Sequence, residues 1–94
     1  MGLLSDADVD AALASLPAWT RSGDAIEKTY ECASFPDAVA FVVRIGFLAE
    51  RENHHPDLDV RWRNVRVLLT THDAGGITDK DVGLANAIEK LHGT

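Results

Sequence analysis

The sequence predicts an α+β domain of order α-β-β-α-β-β-α, a four-stranded antiparallel sheet with helices packed on one face. Three observations carry this reading. Apolar residues recur at helical spacing in three separate segments and alternate at strand spacing between them. Each helical segment opens on a Ser or Thr suited to cap it. Each alternating segment divides around turn chemistry, Ser22-Gly23-Asp24 in the first and Arg63-Asn64 in the second. With 94 residues, no repeat and no linker-like run, residues 1–94 read as one domain with one modest core.

In the first helix Ser5 is the cap, with Leu4 and Val9 placed as a hydrophobic staple. Val9, Ala12, Leu13 and Leu16 make one apolar stripe that Pro17 ends. Two strands follow, Trp19-Thr20-Arg21 and Ala25 to Cys32, the second with Ile26, Lys28, Tyr30 and Cys32 alternating against Glu27, Thr29 and Glu31. The longest helix opens at Ser34-Phe35-Pro36-Asp37, with Pro36 suited to its first turn, and runs to about Asn53. It carries two apolar stripes: Ala38, Phe41, Ile45 and Leu48, then Val39, Val42, Val43, Gly46 and Phe47. One small sheet cannot cover both, so the second is expected to meet another copy of the chain.

After Pro56 the period returns to two, with Val60 and Trp62 before the turn and Val65, Val67, Leu69 and Thr71 after it, alternating with Arg66, Leu68, Thr70 and His72. Trp62 is thereby expected in the core or in the wall of a site. Ala74-Gly75-Gly76 is a flexible loop. Thr78 then caps the last helix with Asp81 at the capping-box position, Ile77 and Val82 as staple, and Leu84, Ala85, Ile88 and Leu91 as its buried stripe.

Composition narrows the function. A formal net charge of −6, spread along the chain, disfavours a phosphate-backbone partner, so no nucleic acid is expected. No apolar run reaches a membrane span, since Ala38 to Ala49 is broken by Arg44, and no membrane partner is expected. The opening Met-Gly-Leu-Leu-Ser-Asp lacks the regions of a signal peptide, and Asp6 stands where a myristoylation signal wants Ser or Thr, so a cytoplasmic location is expected. Cys32 is alone and reads as a small buried hydrophobe.

Three histidines stand at element ends: His54 and His55 where the long helix stops at Pro56, and His72 where the last strand enters the Gly-Gly loop. Imidazole exchanges protons near neutrality, so histidines that converge there can serve as acid and base in one reaction. Each taken alone also suits the plain role of a cationic residue at a helix C-terminus or on the surface. A metal site from His54, His55, His72 and Asp73 is the weaker chemical reading, because adjacent helical side chains diverge. Asp81 is accounted for by its cap, and His92 reads as a solvated surface residue.

Taken together, Glu50, His54, His55, Pro56, Trp62, His72 and Asp81 resemble the signature of the pterin-4a-carbinolamine dehydratases: an acidic residue four before His-His-Pro, then an aromatic, a His and an Asp at set distances. The stretch from Leu69 to Val82 is similar to the family's strand, loop and helix start, whereas the first 30 or so residues match in pattern only, best around Trp19. Leu58 departs from the aromatic that many members carry there. The resemblance implies elimination of water from a 4a-hydroxytetrahydropterin, such as 4a-hydroxytetrahydrobiopterin, to give quinonoid dihydropterin in tetrahydrobiopterin recycling. His54, His55 and His72 are then the catalytic trio, with acid and base duties mainly on His54 and His72. Asn53, His54, His55, Thr70, Thr71, His72 and Asp73 hold the pterin, and Glu50, Pro56, Trp62 and Asp81 support them. It further implies no metal or bound cofactor, a homodimer or homotetramer, and an aromatic amino acid hydroxylase as pathway partner. The alternative is a dehydratase-like scaffold used as a protein-binding coactivator or assembly chaperone.

Overall fold

The computed structural model describes residues 2–93, so Met1 of the opening segment and Thr94 lie outside the described residues. Ser5 accepts the Asp8 amide at 3.1 Å and starts helix α1 (Asp6–Ala14). The stripe predicted to run to Pro17 leaves the helix at Ala14, because a residue before proline is pushed out of the helical conformation. Leu16 and Trp19 then follow in turns, their amides bonded to the Leu13 and Leu16 carbonyls at 3.1 and 3.2 Å, and both side chains still reach the core.

Strands β1 (Thr20–Ser22) and β2 (Ala25–Glu31) form the first hairpin. Helix α2 (Phe35–Glu52) begins at Ser34, whose hydroxyl accepts the Asp37 amide at 3.2 Å, with Pro36 in the first turn, where its missing N–H costs nothing. Strands β3 (Asp57–Arg61) and β4 (Asn64–Leu69) form the second hairpin, and helix α3 (Asp79–His92) follows Thr78. The sheet order is β1-β2-β4-β3, antiparallel throughout, so the two hairpins join by pairing β2 with β4.

Residues directly opposed across strands share a face. Ile26 lies opposite Leu69 and Tyr30 opposite Val65, and these four with Val67 make the buried face. Val9 from α1, Ala38, Phe41 and Ile45 from α2, and Leu84, Ala85 and Ile88 from α3 belong to the same core, which puts the helices on one side of the sheet. Leu58 also packs against it. The other face is polar. Arg66 bonds Glu27 through two nitrogens at 3.1 and 2.8 Å and holds that carboxyl below its ordinary range.

One inward position on β2 carries a charge. Lys28 reaches Glu89 of α3 at 2.7 Å, and Glu89 also accepts from the Trp19 indole at 3.2 Å and from the Tyr30 hydroxyl. Burial pushes the Glu89 carboxyl up, but the hydrogen bonds from Lys28, Tyr30 and Trp19 outweigh it and hold the group below its ordinary value. Burial, together with Glu89, drives the Tyr30 phenol far up.

Three expectations need correction. Trp62 is neither core nor site wall: β3 stops at Arg61, and Trp62 turns at the hairpin tip with φ 52, 69% exposed, its ring under the Arg63 guanidinium at 4.7 Å. Two-residue connections that match the twist of the strands use positive φ, and this one uses it at a tryptophan. The last strand ends at Leu69 rather than continuing through His72, because Thr71 pairs with Gly76 and the chain curls into a 3-10 turn at His72–Ala74. His92, although exposed, lays its ring 4.6 Å from Tyr30 and 5.1 Å from Phe41, so it packs as well as facing solvent.

Candidate active site

The end of α2 sets the first side of the site. Asn53 adopts the left-handed conformation (φ 51, ψ 41), its amide bonds the Glu50 carbonyl at 3.2 Å, and the His54 amide bonds the Ala49 carbonyl at 3.1 Å. This crossed pair of bonds is the Schellman pattern, in which a left-handed residue satisfies the last helical carbonyls and reverses the chain. Consecutive side chains then part. His54 turns inward, 10% exposed, while His55 stays 61% exposed and meets Glu50 at 2.8 Å.

The end of β4 sets the second side. The Thr71 carbonyl accepts the amides of Ala74, Gly75 and Gly76 at 3.1, 3.0 and 3.3 Å, which closes a tight loop and holds His72 and Asp73 at its exposed rim. Gly75 takes φ 77, a conformation that suits glycine. Thr70 donates to the Asp24 carbonyl at 2.6 Å, which anchors the strand end to the first hairpin. Asp57 pairs with Leu68, so residues just before β3 and just after β4 come side by side at the open end of this hairpin.

Behind them stands the start of α3. Thr78 completes the capping box with Asp81, and its amide donates to Asp81 Oδ2 at 2.9 Å. The Thr71 hydroxyl donates to the same oxygen at 2.8 Å. His54 Nε2 lies 2.6 Å from Asp81 Oδ1, and Asp81 is fully buried. The capping role read from the sequence is real, and the same carboxylate also faces His54.

These segments enclose a cleft of about 350 Å³ lined by Asn53, His54, His55, Thr70, Thr71, His72, Asp73 and Lys80. A cavity of this volume suits a small-molecule ligand. It brings together the three histidines and the four other residues expected around them. Asp81 stands buried behind the lining against His54, exposed Glu50 meets His55 beside it, and half-buried Pro56 links His55 to β3. Trp62 is not part of the cleft. Lys80 was not anticipated, although its place beside Asp81 in the first turn of α3 was a usable signal. Among the described residues no three His, Cys, Asp or Glu side chains are gathered as a metal-ligand set.

A model of the family described as pterin 4 alpha carbinolamine dehydratase matches residues 2–91. The chain belongs to this family. Among curated relatives, a protein of Roseiflexus sp. (strain RS-1), provisionally named a pterin-4-alpha-carbinolamine dehydratase, is 54% identical over 88 residues, covering 94% of this chain and 95% of that one. One of Nocardia farcinica (strain IFM 10152), with the same provisional name, is 53% identical over 89 residues, covering 95% and 94%. A crystal structure from Brucella melitensis, described as a transcriptional coactivator/pterin dehydratase, superposes with TM-score 0.90 at 26% identity, over 95% of this chain and 97% of that one. The pterin dehydratase fold is therefore the frame in which the cleft is to be read, and the family signature falls on both sides of it, with Trp62 alone remote.

Proposed function

We propose that the chain eliminates water from a 4a-hydroxytetrahydropterin to give quinonoid dihydropterin. The observation that carries this reading is the convergence of His54, His55 and His72 on one cleft, with the buried Asp81 carboxylate 2.6 Å behind His54. The reaction breaks the C4a–O bond, forms the C4a–N5 double bond and needs one proton added to the hydroxyl and one removed from N5. His54 fits the base, because a carboxylate faces the ring that would gain the proton. His72 fits the acid, since it stands at the exposed rim, where solvent returns the proton it gives up. His55, held by Glu50 at 2.8 Å, lies at the cleft mouth and fits substrate binding or proton exchange with solvent. No metal or bound cofactor is needed for this chemistry.

Asn53, Thr70 and Asp73 line the same cleft and are available to hold a flat heterocycle there. The pathway reading is recycling of a tetrahydrobiopterin-type cofactor in the cytoplasm, with an aromatic amino acid hydroxylase supplying the substrate. No helix among the described residues is long and apolar enough to cross a membrane. The exposure of Val39, Val43 and Phe47 on α2, at 43, 53 and 76%, supports a homodimer or homotetramer through that helix. The Brucella protein is described as a coactivator, which supports a second reading, a protein-binding scaffold, and the same apolar side of α2 is the surface available for it. Accelerated disappearance of freshly generated 4a-hydroxytetrahydropterin on adding purified protein, with chelator present, tests the first reading. An unchanged rate of decay would leave the scaffold reading in its place.

A further inference from the structure

The proton count behind His54 is closed. Thr71 has one hydroxyl proton and donates it to Asp81 Oδ2 at 2.8 Å, while its oxygen lies 2.8 Å from the Thr78 hydroxyl. Thr78 Oγ1 accepts backbone amides at the helix start, Lys80 N–H at 3.3 Å among them, so its own proton is directed to Thr71. The order of donation is thus Thr78 to Thr71 to Asp81, and Oδ2 takes the Thr78 amide as well. Thr71, Thr78 and Asp81 are 8, 0 and 0% exposed, so the chain of donors is made within the protein.

Both contacts on Oδ2 come from donors, so Asp81 is placed in this network as an acceptor, the role of a carboxylate. The proton shared between Oδ1 and His54 then rests on Nε2. A neutral imidazole with hydrogen on Nε2 has its lone pair on Nδ1. We infer that Thr71 and Thr78 are positioning residues that, acting through Asp81, hold His54 as the Nε2–H tautomer and leave Nδ1 as its proton-exchanging atom. This deepens the dehydratase reading and rests on it for its catalytic consequence. Thr71 was expected to bind the pterin, yet its amide bonds the Gly76 carbonyl, its carbonyl accepts loop amides and its hydroxyl serves Asp81. Its polar groups are engaged within the protein.

The test compares wild type with Thr71→Val and Thr71→Ser, each labelled with 15N-histidine and read by two-bond 1H–15N correlation without substrate. Wild type and Thr71→Ser are expected to show His54 with hydrogen on Nε2, and Thr71→Val a mixture of tautomers. In turnover, Thr71→Val is expected to lose about tenfold in kcat, the scale of one hydrogen bond to a charged group, with KM within about twofold and with rescue in Thr71→Ser. Should Thr71→Val not fold, Thr71→Ala removes the same hydroxyl with a smaller side chain. A wild-type His54 pattern and kcat in the hydroxyl-free variant overturn the inference. So does a rise in KM with kcat intact, which would make Thr71 a substrate contact. If wild type does not accelerate the dehydration, the functional reading fails, while the tautomer comparison still stands or falls by itself.

Discussion

Lys28 on β2 and Glu89 on α3 meet at 2.7 Å between sheet and helix, and the Glu89 carboxylate, which also accepts from Trp19 and Tyr30, is a polar tie across this part of a mostly apolar layer. Removing it in Glu89→Ala strands a mostly buried ammonium and two further donors. We expect a loss of about 2 kcal/mol, on the order of 10 °C in Tm for a domain of this size, by thermal unfolding. The cleft is elsewhere, so turnover at permissive temperature should persist. Acid dependence follows from the same group. Its folded-state pKa lies below the ordinary 4.5, so its stabilising contribution is full above that value and fades as pH falls through the folded value. Glu89→Gln should therefore flatten the acid limb of Tm against pH relative to wild type.

His54→Ala and His72→Ala should each lower turnover by about 10²–10⁴, the usual contribution of a general acid or base. Their stabilities should differ. His72 is exposed and forms no side-chain hydrogen bond to another described residue, whereas His54 leaves Asp81 buried with Oδ1 unmet. Only the His54 variant should melt lower, and paired measurements of rate and Tm read both effects.

Asp81→Ala removes the capping-box partner of Thr78, the acceptor for Thr71 and the partner of His54 in one change. The expected cost is about 2–3 kcal/mol, above the roughly 1 kcal/mol of a cap alone, together with a fall in rate. A denaturant titration showing only the cap-sized loss would mean that the buried network adds nothing to folding.

Phe47→Asp tests the exposed side of α2. Wild type is expected to sediment above the single-chain mass at micromolar concentration and the variant at it, because a charge in the middle of an apolar contact is costly to bury. A wild type that sediments as a monomer would assign that apolar side to another partner.

Caps and hydrophobic period made the helices and both hairpins legible, and Ser5, Ser34 and Thr78 all cap as their positions imply. Trp62 was misplaced because alternation counts residues but not φ, and nothing in a tryptophan announces a left-handed turn. The β2–β4 seam joins residues as distant as Ile26 and Leu69 and leaves no local mark. Lys28 and Glu89 did leave one: two opposite charges at inward positions of two elements imply a pair, and that signal was available. In the cleft the histidines were visible by type and position. Asp81 was legible as a cap and, through the family resemblance, as a supporting residue, but its contact with His54 comes from 27 positions away and leaves no local mark.

The hairpin of β3 and β4 holds the histidines at its open end, where Asp57 pairs with Leu68, and carries Trp62 and Arg63 at the opposite tip. Chain length added at that tip would lengthen the loop without altering the register that sets the histidine-bearing end. The sacrifice would be the Arg63 carbonyl's bond to the Cys32 amide at 2.8 Å and the stacking of Arg63 on Trp62. Exposed turns of this kind are where proteins accept inserted sequence. The tip is thus the natural place to graft an epitope or a fluorescent reporter on this small scaffold, at the far end of a strand pair from the histidine cleft.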